Sequence, residues 1–350
     1  MRVSEARRPA SAPEHPARWG QLEADGRVLC TLCPRYCRMH DGQAGFCFIR
    51  RNRGGELVTI GYGRTTGFAV DPIEKKPLNH FLPGTRILSF GTAGCNLGCK
   101  FCQNWNISKA RTDDMNSVTI APEDVVALAR ERDCPSIAYT YNDPVIFAEY
   151  VIDVSRAARA AGIRNVAVTA GYIAPEARSE FYRYIDAANV DLKGFTEGFY
   201  HRLTLSHLEP VLDTLLWLRH ESNVWLEITT LLIPDHNDGD EELRAECDWI
   251  AENLGPDVPL HFTAFHPDYR LTGVPRTPLA TVQRARRIAR EAGLHYVYVG
   301  NVLDPEGQST CCPGCGALLV RRGWHDVSLC RIEMGQCFDC GRRIPGVFDS

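Results

Sequence analysis

From about residue 85 onward, short apolar runs alternate with amphipathic stretches, and this rhythm constrains the fold more than any other feature of the chain. The runs are Arg86–Phe90, Ser136–Tyr141, Asn165–Thr169, Asn189–Leu192, Trp225–Ile233, Leu260–Phe265 and His295–Val299. They are continuously apolar rather than apolar at every second residue, as expected of parallel strands covered on one or both faces. Helical patterns separate them at Pro122–Arg132, Val145–Ala161, Pro175–Ala187, Glu209–Glu221, Glu241–Asn253 and Pro278–Ala292. Several of these open on proline or an acidic residue, which suits a helix start. At least six strand–helix units predict an α/β chain built on a complete or partial TIM-like (β/α) barrel over residues 85–303. Residues 1–24 are expected to be a poorly ordered tail, 25–84 a cysteine-rich N-terminal module with its lead-in, and 304–350 a zinc-ribbon-like module.

Cysteine usage narrows the chemistry. Of 15 cysteines, 13 fall into three groups built on C-x2-C or C-x3-C steps, and no export signal precedes them. That clustering favours metal ligation over disulfides and a reduced, cytoplasmic location. Cys134 and Cys247 stand alone and read as small buried apolar residues. Cys95, Cys99 and Cys102 form a C-x3-C-x2-C run directly after a strand. Three thiolates at this spacing can hold three corners of a cubane iron–sulfur cluster, leaving one iron open to a ligand. Structural zinc sites pair two C-x2-C knuckles instead. That pairing occurs at the C-terminus, where Cys312, Cys315, Cys337 and Cys340 predict a tetrathiolate site, zinc before iron. Cys311 and Cys330 are left over and are expected to pack. Cys30, Cys33, Cys37 and Cys47 can form a further tetrathiolate site, for which a second iron–sulfur cluster and zinc are both open.

Barrel chemistry collects at the C-terminal ends of strands. The polar residues there are Asn142 and Asp143, Thr169, Asp191 and Lys193, Thr230, and His266. Strand alternation puts Asp191 and Lys193 on one side, where they suit a zwitterionic nucleoside. The net charge of -4 gives no general attraction to nucleic acid or anionic membrane, and no aromatic–basic stripe is present. No apolar run approaches the roughly 18–20 residues that span a bilayer. The first 20 residues lack the apolar core of a secretory signal.

Asp71–Gly84, Ser89–Cys95 and Cys102–Asn106 together resemble the pyruvate formate-lyase-activating-enzyme-related branch of the radical S-adenosylmethionine (SAM) superfamily. Within it, the chain looks most like the radical SAM member of the AmmeMemoRadiSam system, from about residue 28 to the end. The resemblance implies a [4Fe-4S] cluster on Cys95, Cys99 and Cys102, with Asn142, Asp143, Asp191, Lys193 and His266 around SAM. It implies reductive cleavage of SAM to a 5′-deoxyadenosyl radical that abstracts hydrogen from a substrate, fed by a flavodoxin- or ferredoxin-type donor. Memo-type and AMMECR-type proteins are the implied partners. Two positions depart from the family pattern: Asp143 stands where glutamate is common, and Ala170 where asparagine is common. The family motif also suggests that Asp71, Lys75, Lys76 and His80 line the barrel mouth. The alternatives are an activase acting on a glycine of a partner protein, and a non-enzymatic zinc-dependent binding module.

Overall fold

The computed structural model describes residues 14–110 and 117–348. Eight strands form its central sheet: β1 (Phe68–Pro72), β2 (Arg86–Phe90), β3 (Ser136–Tyr139), β4 (Arg164–Thr169), β5 (Ala187–Asp191), β6 (Trp225–Leu232), β7 (Leu260–Ala264) and β8 (Val297–Gly300). They lie side by side in chain order, β2 to β8 parallel and β1 antiparallel to β2. Among the described residues the ladder ends at β1 on one side and β8 on the other, so the pairing gives an open, mostly parallel sheet rather than a closed ring.

Helices α1 (Pro122–Glu131), α2 (Ala148–Ala160), α3 (Pro175–Phe181), α4 (Glu209–His220), α5 (Asp240–Asn253) and α6 (Leu279–Glu291) follow the successive parallel strands β2 to β7. Proline occupies the first turn of α1, α3 and α4, where its missing N–H costs nothing. The helix expected at Val145–Ala161 begins instead with a tight 3-10 turn at Pro144–Phe147, because the Asp143 side chain caps the Val145 N–H. The helix expected to reach Ala187 stops at Phe181, passes through a 3-10 turn, and leaves Ala187 to open β5.

Alternation along the strands sorts the core. Leu88, Tyr139, Ala167, Val190, Ile228 and Phe262 belong to the large apolar cluster shared with the helices. Ile87, Ala138, Val166 and Ala187 join Ile73, Leu78, Phe81 and Leu82 in a second cluster. The β1–β2 connection therefore packs back over the inner face of the sheet. One layer further along the strands its floor is polar. The Glu227 carboxylate accepts from the backbone N–H groups of Asn79 (2.9 Å) and His80 (2.8 Å), from Trp225 Nε1 (3.0 Å), and pairs with His261 Nε2 (2.7 Å). Asn189 Nδ2 donates to the Pro77 carbonyl at 2.8 Å.

Both flanking modules are docked through buried charge. Arg50 grips Glu149 of α2 with two bonds of 2.9 and 3.0 Å, fixing the N-terminal module to the sheet domain. A bidentate pair of this kind is strong and directional. Residues 15–16 and 20–22, expected to be tail, are paired strands of that module; residues 1–13 lie outside the described chain. In the C-terminal module, Arg322 donates to the Asn79 carbonyl (2.7 Å) and Thr310 Oγ1 (2.8 Å), and Leu82 N donates to the Val347 carbonyl (2.7 Å). The module thus closes over the same β1–β2 connection.

Candidate active site

A cavity opens at the C-terminal ends of β2 to β7. Cys95, Cys99, Cys102, Asn142, Asp143, Ala170, Asp191, Lys193 and Thr229 line it together. The three cysteines occupy the loop after β2. Gly94, at φ +89°, lets that loop turn: a Cβ there would stand 2.2 Å from the Cys47 carbonyl oxygen. Asn142 staples the same loop, its Oδ1 accepting from Thr92 N (3.1 Å) and its Nδ2 donating to the Gly94 carbonyl (2.8 Å) and Thr92 Oγ1 (3.1 Å). Both ends of the Asn142 amide are therefore occupied within the protein, and its part is to hold the cysteine loop.

Asp143 is also bound from within. Its carboxylate accepts from Val145 N (3.0 Å), Thr169 Oγ1 (3.1 Å) and Ala170 N (3.0 Å). Burial pushes this carboxyl up to about 6 despite those three donors. At position 170 the backbone N–H makes the contact, so the alanine side chain forfeits no bond to Asp143. Tyr141, lining the cavity next to this pair, holds φ +70°, an uncommon conformation for a bulky residue and a recurrent mark of functional sites.

Asp191 and Lys193 face the same way, as alternation requires. Lys193 Nζ donates to Asp191 Oδ2 at 2.8 Å. Burial disfavours the ammonium, but Asp191 and Cys99 outweigh it and hold Lys193 firmly charged. Conversely, burial raises the Cys99 thiol to about 12 while Lys193 pulls against it. Thr229, the ladder partner of Asp191, has a buried hydroxyl with no hydrogen-bond partner. Sequence reading missed it, although the register of β5 against β6 points to it once Asp191 is chosen. Thr230 faces the other way, donating to Glu246 of α5. His266 is exposed and lies outside the residues that line the cavity.

A second cavity adjoins the first. Lys75, Pro77, Gln103, Asn104, Thr140, Tyr141, Thr263 and Asn301 border both. Its remaining lining includes Glu74, Lys76 and His261, with Arg322, Trp324 and His325 contributed by the C-terminal module. Asp71 sits behind the wall, accepting from Lys75 (2.8 Å), Lys76 (2.6 Å) and Tyr141 (3.1 Å). Burial raises the Asp71 carboxyl, but the two lysines dominate and hold it below the usual carboxylate range. His80 does not reach the mouth. It is buried, with Nε2 2.6 Å from the Tyr298 hydroxyl, and burial drives its pKa down to about 4.

The C-terminal cysteines form a compact group. The sulfurs of Cys312, Cys315, Cys337 and Cys340 all lie within 4.8 Å of one another, with Cys312–Cys340 at 3.6 Å and Cys315–Cys337 at 3.8 Å. A single tetrahedral ion with metal–sulfur bonds of about 2.3 Å needs sulfurs about 3.8 Å apart, so this group can hold one metal ion. Cys311 and Cys330 are exposed rather than packed, whereas Cys134 and Cys247 are buried as expected.

The sheet thus brings a three-cysteine loop and a charged pair together at its strand ends. Residues 90–247 match the sequence profile of the radical SAM superfamily, and the chain belongs to that superfamily. It is 42% identical over 322 residues to an uncharacterized protein of Methanocaldococcus jannaschii, covering 91% of this chain and 96% of that one. Among solved structures, a radical SAM methyltransferase from Sphaerobacter thermophilus matches with TM-score 0.51 at 15% identity, over 88% of this chain and 81% of that chain. That likeness is one of fold. A domain of a pyruvate-formate lyase-activating enzyme from Bacteroides vulgatus matches more loosely, with TM-score 0.42 at 17% identity, over 47% of this chain and 98% of that chain. Membership makes the chain an enzyme and sets aside the non-enzymatic binding module. It also implies a [4Fe-4S] cluster and SAM, which the cavity suits: three thiols, an anion–cation pair and the unpartnered Thr229 hydroxyl all line it. Among the described residues no helix is long and apolar enough to cross a membrane.

Proposed function

We propose that Cys95, Cys99 and Cys102 hold the [4Fe-4S] cluster, that Asp191, Lys193 and Thr229 receive SAM beside it, and that the adjoining cavity receives the substrate. The observation that carries this reading is the convergence of the three thiols, the Asp191–Lys193 pair and Thr229 on one cavity that shares a border with a second. When bound, cluster and SAM supply a 5′-deoxyadenosyl radical for hydrogen abstraction, and hard chemistry of that kind belongs to the cofactor. The protein's contribution is to orient and to seal. Lys193 offers a fixed cation to the cofactor carboxylate, and Asp191 and Thr229 offer polar partners to its amine and hydroxyl groups. Asn142 and Gly94 fix the loop that sets the three sulfurs. Lys75, Lys76, Arg322, Trp324 and His325 give the substrate cavity a polar, partly aromatic lining fit for a polar small molecule or side chain.

We further read the parallel strands as a partial (β/α) barrel, the C-terminal quartet as a zinc site, and the electron source as a flavodoxin- or ferredoxin-type protein. The motifs shared with the AmmeMemoRadiSam members favour action alongside Memo-type and AMMECR-type proteins over activation of a partner's glycine. A Lys193→Met substitution tests the cofactor site. Losing one charge-assisted bond costs about 1.5–3 kcal/mol, or roughly 10- to 100-fold in affinity. SAM binding by anaerobic titration is expected to weaken by that factor with iron content retained; unchanged affinity would refute the placement.

A further inference from the structure

We propose that Cys30, Cys33, Cys37 and Cys47 hold a second cubane [4Fe-4S] cluster that carries single electrons to the site at Cys95, Cys99 and Cys102. The four thiols do not merely fall close in sequence; they line one small cavity whose other walls include the apolar side chains of Leu32, Met39, Val145 and Ile146. Arg50 lines it too. This guanidinium is 2% exposed, and both its terminal nitrogens are engaged, with Glu149 and with the Arg18 carbonyl. Its Nε has no hydrogen-bond partner. A buried N–H left unpaired costs about 1–3 kcal/mol, so its place beside four thiols points to an anionic acceptor there. Sulfur atoms of a cluster take such bonds, and nearby cations tune its potential.

Spacing separates a cubane from a single ion. The C-terminal quartet gathers all four sulfurs within 4.8 Å and is the one such group among the described residues. Neither the N-terminal quartet nor the central three gather so closely. A cubane needs its thiolates further apart than a single ion does, because each binds a different iron. Like the central three, and unlike the C-terminal quartet, the N-terminal four are not drawn together into a single-ion group. Four thiolates also leave no iron open, which suits electron transfer rather than substrate binding.

Placement supplies the role, a part of the proposal that rests on the reading of Cys95, Cys99 and Cys102 given above. The Cys47 carbonyl packs against Gly94, next to Cys95. Asn96, between two residues of the cysteine loop, lines the N-terminal cavity, and its carbonyl accepts from Arg35 Nε. In each cycle an external low-potential one-electron donor reduces the second cluster by one electron. The cluster is reoxidised on passing that electron on, and no covalent bond forms or breaks.

The test is a Cys95→Ala/Cys99→Ala/Cys102→Ala variant, reconstituted anaerobically with iron and sulfide and read by metal analysis and Mössbauer spectroscopy. It should retain about four irons per chain as a cubane, against about eight in the wild type. Its EPR signal should ignore added SAM. A Cys33→Ala/Cys37→Ala variant should fall to about four irons, keep a SAM-responsive signal with dithionite, and be reduced more slowly by flavodoxin. Zinc in place of iron, a [2Fe-2S] spectrum, or an iron-free triple variant beside an unaltered iron count in the double variant would overturn the second cluster. Equal flavodoxin reduction rates in the double variant and wild type would overturn the relay. A cubane in the triple variant, with no SAM response in the wild type, would keep the N-terminal site and refute the reading of the central one.

Discussion

Replacing Glu227 with glutamine isolates the polar floor that joins the β1–β2 connection to the sheet. The carboxylate is fully buried and accepts from two backbone N–H groups and the Trp225 indole while pairing with His261. A glutamine amide has one oxygen, so its NH2 must face two of those groups. His261 can accommodate it by changing tautomer, but on either orientation at least one donor, a backbone N–H or the indole, remains opposed. An orphaned buried donor costs about 1–3 kcal/mol, and the lost charge-assisted bond adds about 1.5–3. The sum, about 2.5–6 kcal/mol, corresponds at about 2 °C per kcal/mol for a large domain to a melting temperature roughly 5–12 °C lower. Burial raises the Glu227 carboxyl, but His261 and the other donors outweigh it and hold the pKa below the ordinary value. Its stabilising share is thus present above about pH 4.5 and is lost as pH falls through the depressed pKa, so the gap between wild type and Glu227→Gln should narrow below about pH 4. Differential scanning calorimetry at about pH 7 and about pH 3 provides both readings. A Glu227→Gln protein melting within about 1 °C of wild type at pH 7 would refute the reasoning.

Glu246 predicts the opposite pH behaviour. Burial raises its carboxyl to about 8, so stability is lost as pH rises from the unfolded value of about 4.3 through 8. Glu246→Gln should stabilise the protein at pH 8, on the order of 2 kcal/mol, and much less at pH 5; equal effects at both would contradict the assignment. Cys337→Ser should release about one metal ion per chain and increase proteolysis around residues 304–348, since a small module of this kind depends on its metal. Unchanged metal content would count against that site.

Much of the sheet could be read from the chain because β2 to β8 are buried on both faces and therefore continuously apolar. Strand β1 escaped because its exposure is mixed and its apolar run, Phe68–Val70, is only three residues long before Asp71 and Pro72. Asp191 and Lys193 were legible through period-two alternation alone. Asn142 and Asp143 were found by motif, yet their bonds within the protein depend on where Thr92, Gly94 and Ala170 arrive in space. No local pattern marks Arg322, Trp324 and His325 as cavity residues, because only docking of the C-terminal module brings them there. His266 follows β7 but falls on the exposed side of the chain's exit, where strand-end position by itself carries no direction.

The central claim is that Cys95, Cys99 and Cys102 hold a cluster with one iron open to SAM. Its most direct test is EPR of the anaerobically reconstituted, dithionite-reduced protein before and after adding SAM, with Cys99→Ala as control. The account predicts a cubane signal that SAM perturbs in the wild type and that loses this response in Cys99→Ala. A wild-type spectrum indifferent to SAM would contradict it.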